Sequence, residues 1–518
     1  MKGIKSLSKY LLAALFLVTV NNSCTDLEEQ LYSEVPSAEA DAIFAKLTAA
    51  DIQTAVQSAY DNLAGNFGNH NGTFSDNEVS TDEMIIPQRG GDWYDGGQWL
   101  RMHQHGFTKN EDSFNNSWNS LYRGVSICNR LIVQIPKAQP QLAGPLVAEL
   151  RALRAFYYFY LMDMWGGVPI FTKWPGDIAE ATAKKRGDVY TFIESELNAV
   201  VGTLSDKSDA STYGRMNKFA AQAVLAKLYL NAGVYKGAPE WAKCVTACDA
   251  VINSGKYSIE SDFKTNFWFG NEASKENVMV VPYEPGKLGG FQIVQMTGHY
   301  ETQKTFDLQA QPWNGYCTSA EFYNSFDAAD KRKNASLLYG KQFASDGTTP
   351  LVDNGAESND PDGKEVNFTP ELNELFPGAL RQAGARIGKY RPKNGSSPDI
   401  SNDFPIFRLG DIKLMKAEAL WRQNPADATA LLLVNEIRTR AGAAVFTSLS
   451  ADNLLAERGR EVFAEGWRRN DMIRFGKFFK AYGKFKTVDN EAACKGVFPI
   501  PQAQIDANAS LPQNECYK

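Results

Sequence analysis

Residues 149–167 read ELRALRAFYYFYLMDMWGG, and the spacing of their apolar side chains decides the fold class. Leu153, Phe156, Tyr157, Tyr160, Leu161 and Met164 recur at the three- and four-residue steps of an α-helix and make one apolar stripe. Gly166, Gly167 and Pro169 then stop the helix, because glycine accepts a left-handed cap and proline has no N–H to continue the ladder. Such a stripe needs a partner to cover it, and the chain supplies several of the same kind. In KFAAQAVLAKLYLNAG (218–233), Ala221, Val224, Leu225, Leu228, Tyr229 and Ala232 repeat the spacing, with alanines that let a second helix approach closely. In PEWAKCVTACDAVINSG (239–255), Trp241, Cys244, Val245, Cys248, Val251 and Ile252 share a face.

Further helical segments are DIQTAVQSAYDNLAG (51–65), ADATALLLVNEIRTRAG (426–442) and the charge-dense LLAERGREVFAEGWRRNDMIRFG (454–476). Helix, short turn and helix with alanine-rich contacts is the tetratricopeptide pattern, although no strict 34-residue period runs through the chain. The expectation is a mainly α protein, an α-α superhelix with tetratricopeptide-like repeats. The run ERGREVFAEGWRRND reads as a solvated or salt-bridged helix face. Between Tyr257 and Asn402 the sequence changes character. NFWFGNE, PYEPGKLGGFQ, QPWNGY and KNGSSPD are rich in Gly, Pro, Asn and aromatic residues and show little sustained period, so a loop-rich insertion of functional type is expected there.

A net charge of −6 over 518 residues gives no basic footprint for nucleic acid. At the N-terminus, Lys2, Lys5 and Lys9 precede the apolar run YLLAALFLVTV (10–20), and Asn21-Asn22-Ser23-Cys24 follows. The run is too short for a membrane-spanning helix, which needs about 20 residues, and reads as an export signal. Ser23 before Cys24 resembles a bacterial lipoprotein processing site, although Asn21 stands where Leu is usual. Residues 1–23 are thus expected to be a lipoprotein signal peptide with Cys24 lipidated, residues 24–40 a polar tether, and residues 41–518 the folded domain. Export permits disulfides; a Cys494–Cys516 bridge closing the C-terminal segment is one option, while Cys244 and Cys248 read as small core residues. His103 and His105 could pair on a metal, but two polar strand or loop residues is the better reading in the absence of a third ligand. No cofactor or metal motif is present, and no calcium loop of the D-x-[DN]-x-[DN]-G type.

The segment RGGDWYDGGQW (89–99) sets three large rings among four glycines, a costly arrangement for a loop. Its rings either plug a neighbouring helix or offer flat faces to a ligand oriented by Arg89, Asp92, Asp95 and Gln98. Taken together, the lipoprotein-type start, ELRALRAFYYFYLMDMWGGVPI, the pair GRMNKFAAQAVLAKLYLNAG and FRLGDIKLMKAEAL, LVNEIRTRAGA, ERGREVFAEGWRRNDMIRFGKF and FPIPQAQIDANASLPQNECY resemble the SusD/RagB family of Bacteroidetes surface lipoproteins. The chain departs from the family pattern at Asn470, at Gly459 and at Cys516. The resemblance implies a SusD-like fold at the outer membrane, a SusC-like TonB-dependent transporter as partner, and capture of oligo- or polysaccharide without catalysis. It also implies a ligand site made of rings on loops, one group from the N-terminal third and one from the insertion of about 257–402. Selected by chemistry, the carbohydrate-binding residues are Trp93, Tyr94 and Trp99 from the first loop and Tyr300, Trp313 and Tyr316 from the second. The rival readings are an exported glycoside hydrolase using acids such as Asp82-Glu83 or Asp92/Asp95, and a helical-repeat scaffold that binds peptide.

Overall fold

Helix starts are set by local capping chemistry. In the computed structural model, which describes residues 42–176, 182–356, 360–489 and 492–518, Thr48 and Asp51 form a reciprocal capping box at α1 (Ala49–Asp61). Residues 47–518 form one unit, residues 42–46 belong to another, and the signal, Cys24 and the expected tether lie outside the described residues. The other helices that frame the molecule are α2 (Thr73–Val79), α3 (Gln98–His103), α4 (Asp112–Ala138), α5 (Pro140–Trp165), α6 (Arg186–Val200), α7 (Lys218–Leu230), α8 (Trp241–Ile252), α9 (Leu409–Gln423), α10 (Ala428–Ala441), α11 (Ala451–Val462) and α12 (Arg468–Arg474). Asn217 caps α7 by accepting from the N–H groups of Phe219 and Ala220, and Ser450 with Asn453 repeats the capping box at α11.

The long helices pack on one another in chain order: α4 on α5, α5 on α6, α7 on α8, α8 on α9 and α9 on α10. This is the mainly α architecture of stacked helical pairs. The close approach of α4 and α5 depends on Gly124, where a Cβ would stand 2.2 Å from the Tyr157 ring. Tyr157 passes over it and donates to the Ala59 carbonyl of α1 at 2.6 Å. Helix α5 goes beyond the single stripe read from its sequence, since Ala152 through Trp165 are all buried. A helix apolar on every side lies in a core, and each of its large side chains contributes about 1.5–3 kcal/mol by burial. Its one acid there, Asp163, accepts from Tyr235 Oη at 2.7 Å, Arg469 Nη1 at 2.9 Å and Asn470 Nδ2 at 2.9 Å. Asn470 thereby holds α12 to the core.

Residues 253–408 are looped out between the packed pair α8 and α9. Their two ends meet in an antiparallel ladder, β1 (Asn277–Val281) with β6 (Phe404–Arg408), in which Asn277 faces Arg408 and Val281 faces Phe404. Inside, β2 (Leu337–Leu338) pairs with β5 (Arg386–Ile387) and β3 (Gly340–Lys341) with β4 (Asn367–Phe368).

Of the solvated or salt-bridged reading of the run 457–471, the salt-bridged half holds and the solvated half does not, because its charges are paired and point inward. Arg408 reaches Glu276 at 2.7 Å, Glu461 at 3.1 Å and Glu465 at 2.7 Å; Arg332 reaches Glu457 at 2.8 Å and Glu461 at 2.9 Å; Lys389 reaches Glu465 at 2.6 Å, and all seven are buried. Buried charges survive only when paired, and here the pairing fastens the insertion to α11 and the turn after it. Gly459 leaves the room this needs, since a Cβ there would lie 2.7 Å from Arg468 Nη1. Cys494 and Cys516 are joined as a disulfide, whereas Cys128, Cys244, Cys248 and Cys317 are buried thiols.

Candidate functional site

The loop 89–99 begins as a tight reversal in which Arg89 and Asp92 exchange backbone hydrogen bonds. Beyond it Trp93 (φ 64°) and Asp95 (φ 41°) sit in left-handed backbone that ordinary residues seldom adopt. Something must hold them there, and that is Arg89. Its guanidinium is enclosed and donates to the carbonyl oxygens of Asn314 at 2.8 Å, Gly315 at 2.6 Å, Leu380 at 3.2 Å and Ala383 at 2.6 Å. Arg89 is therefore a staple joining three loops, not the ligand-orienting group expected from its position. Gln98 is likewise buried.

The staple brings loop 89–99 against loop 311–316. The Trp93 indole lies flat against Gly315, where a Cβ would fall 2.3 Å from the ring, and its Nε1 donates to the Trp313 carbonyl at 2.6 Å. The two indoles stand 6.3 Å apart at 47°. The His70 ring meets both nearly edge-on, at 5.7 Å from Trp93 and 5.8 Å from Trp313. Together with Asp92, Asp95, Tyr300, Gln311 and Pro312 these rings line an open cleft of about 380 Å³.

The six rings selected from sequence divide. Trp93, Trp313 and Tyr300 line the cleft; Trp93 is 9% exposed, while Trp313 and Tyr300 are half-buried. Trp99 and Tyr316, at 1% and 0%, offer no face to a ligand and instead form the floor. Trp99 Nε1 donates to Asp95 at 2.7 Å, and Tyr316 Oη bonds Ser75 Oγ of α2 at 2.6 Å. Tyr94 is exposed but outside the cleft, tilted against Phe376 at 5.4 Å. The physical reason is the left-handed turn at Trp93, which sends successive side chains to different sides. His70, Gln311 and Pro312 went unselected in the sequence, where only the glycines beside His70 in GNHNG hinted at a shaped loop.

The polar groups of the cleft have defined states. Tyr300 Oη donates to an Asp92 carboxylate oxygen, and burial followed by that acceptor pushes its phenol up to about 12. Burial lowers the His70 pKa despite the opposing Asp95 carboxylate, so its ring is neutral at neutral pH. His103 and His105 are elsewhere and enclosed; His103 is helical, which corrects the strand or loop reading for it, while His105 lies in the turn that follows. His103 lies on α3 beside Tyr482, His105 stacks on Phe478 at 4.1 Å, and burial lowers them to about 4 and about 3. Among the acids weighed for hydrolysis, Glu83 is fully enclosed and Asp82 is clamped by Arg468 at 2.6 Å. A larger groove of about 440 Å³ lies between residues 208–217 and β1. Its Tyr213 donates to Asp403 and its Tyr257 accepts from Asn217, so it presents Lys256, Lys275 and Glu272 rather than paired indole faces.

Comparison with known proteins decides the family. Residues 275–517 match the model of the SusD family, and residues 27–230 match one described as starch-binding associating with outer membrane. The chain belongs to the SusD family. A curated relative, the starch-binding protein SusD of Bacteroides thetaiotaomicron, is 27% identical over 407 residues, covering 72% of each chain. SusD-like protein P38 of Formosa agariphila is 24% identical over 436 residues, 77% of this chain and 79% of the relative. Among solved structures, surface glycan-binding protein A from Bacteroides thetaiotaomicron in complex with laminarihexaose superposes with a TM-score of 0.73 at 22% identity, over 90% of this chain and 100% of that one. At that identity the likeness establishes the SusD-like fold.

Proposed function

We propose that this SusD-family protein is a cell-surface lipoprotein of the outer membrane that captures oligo- or polysaccharide in the Trp93–Trp313 cleft and hands it to a TonB-dependent transporter. The observation that carries the reading is the inclined pair of indoles bordered by Asp92, Asp95 and Tyr300. A pyranose ring has an apolar C–H face that stacks on an indole, and a rim of hydroxyls that carboxylates accept. The cleft supplies both within one opening. Family membership, the starch-binding name of the curated relative and the laminarihexaose in a structural neighbour support glycan as the ligand class. The protein binds and does not catalyse, in keeping with that family. Cys24 provides the lipid anchor, and the polar, acidic composition of residues 25–40 suits a tether between that anchor and the folded domain. Affinity electrophoresis of the mature chain through gels containing individual glycans tests the reading. Retardation by at least one glycan, with no release of reducing ends, is expected; free migration through every gel would overturn it.

A further inference from the structure

Resting on the glycan-binding reading above, we propose that the cleft selects glycans that carry no carboxylate or sulfate, and that Asp92 and Asp95 set this selectivity. Two carboxylates are among the eight lining residues and no lysine or arginine is. The donors of the arginines next to the lining, Arg89, Arg381 and Arg101, are engaged by the protein itself. Arg89 is spent on four carbonyl oxygens inside the protein. Arg381 grips Asp353 through two bonds, at 2.6 and 3.0 Å, while lying over the Tyr300 ring. Arg101 is held by Glu111 at 2.6 Å and by the Gly96 carbonyl at 2.7 Å. His70, held neutral by burial, adds no positive charge.

The lining side chains thus carry a formal charge of −2, from Asp92 and Asp95, against apolar ring faces. Each carboxylate has one oxygen engaged, Asp92 by Tyr300 and Asp95 by Trp99, and the other is left to accept a hydroxyl. Sugar hydroxyls satisfy such oxygens through charge-assisted bonds. A uronate or sulfate ester in the same place brings a third negative charge with no lysine or arginine among the lining residues to receive it. At a separation of roughly 6 Å and an effective dielectric of about 40, that repulsion weakens binding about tenfold per acidic unit. Salt screens it, because the rim of the cleft is open to solvent.

Isothermal titration of the mature chain in detergent micelles tests this, using the neutral oligosaccharide that binds best from a panel and its C6-oxidised, uronic-acid counterpart. The oxidised form should bind about tenfold or more weakly at low salt, and the gap should narrow at high salt. Asp92→Asn with Asp95→Asn keeps an amide oxygen for Tyr300 and for Trp99 while removing the charge, so the neutral-to-oxidised affinity ratio should fall toward one. Equal or tighter binding of the oxidised form by the wild type overturns the selectivity and leaves glycan binding intact. A ratio unchanged in the double variant removes the two aspartates from the role. If that variant does not fold, the salt dependence of the wild-type ratio decides instead. Failure of every glycan to bind overturns the reading beneath and this selectivity with it.

Discussion

Replacing Trp99 and Trp313 separately by alanine should produce opposite phenotypes. Trp99 is fully enclosed, packs against Tyr316 and donates to Asp95 at 2.7 Å. Its removal leaves a cavity and an unpaired acceptor, costing about 3–5 kcal/mol. Unfolding entropy is about 2.1 cal/mol/K per residue, so a unit of about 470 residues has about 1 kcal/mol/K, and Tm should fall by about 3–5 °C. Trp313 is half-buried at the cleft wall. Truncating it spares the bond that Trp93 makes, because the acceptor is the main-chain carbonyl of residue 313. Stability should hardly change, whereas loss of a stacking face should cost about 1–3 kcal/mol of glycan binding, about 5- to 150-fold in Kd. Differential scanning fluorimetry and isothermal titration on the same preparations read both effects. A Trp313→Ala protein that melts several degrees lower yet binds normally per folded molecule would refute the assignment. So would a Trp99→Ala protein that loses binding at unchanged Tm.

Burial raises Glu78 to about 7, while burial and the adjacent Glu78 carboxylate push Glu83 well above the usual carboxylate range. The folded state therefore binds more protons than the unfolded chain above the ordinary glutamate value near 4.5, and stability present below that pH declines as pH rises through 7. Glu83→Gln, which imitates the protonated acid, should be more stable than wild type at about pH 8 and lose less on going from about pH 5 to 8 in urea titrations; parallel curves would contradict this. Replacing Cys494 and Cys516 by serine opens a loop with a sequence separation of 22 and should cost about 3 kcal/mol, read as a lower denaturation midpoint that added reductant no longer changes. Arg408→Ala leaves Glu276, Glu461 and Glu465 underpaired in the interior and should destabilise by about 3–5 kcal/mol, measured by chemical denaturation. Cys24→Ala should move the exported protein from the membrane to the soluble fraction in cells without a transporter partner, and retention in the membrane would count against lipid anchoring.

What was legible in the sequence was local. The stripes of α5, α7 and α8 and the stop at Gly166 follow from spacing within one helix, so reading them required no knowledge of their partners. The ion pairing of the run 457–471 was legible, but its burial was not, because its spacing is equally compatible with an outer face. What turns it inward is Arg332, Lys389 and Arg408, which lie 50 or more residues away along the chain. The same holds at the cleft. Composition drew notice to RGGDWYDGGQW, but which ring faces outward is set by the Arg89 staple and by the left-handed backbone at Trp93, neither of which has a sequence period. As letters, Trp99 looks identical to Trp93 and Trp313, and Tyr316 to Tyr300; tertiary burial alone separates floor from wall.

The most direct measurement is a crystal structure of the mature chain soaked with the oligosaccharide that retards it in affinity gels. A pyranose ring stacked on Trp313 or Trp93 is expected, with hydroxyls within hydrogen-bond distance of Asp92 and Asp95. Sugar density confined to the groove beside Tyr213 and Lys256, or anywhere else with the Trp93–Trp313 cleft empty, would contradict it.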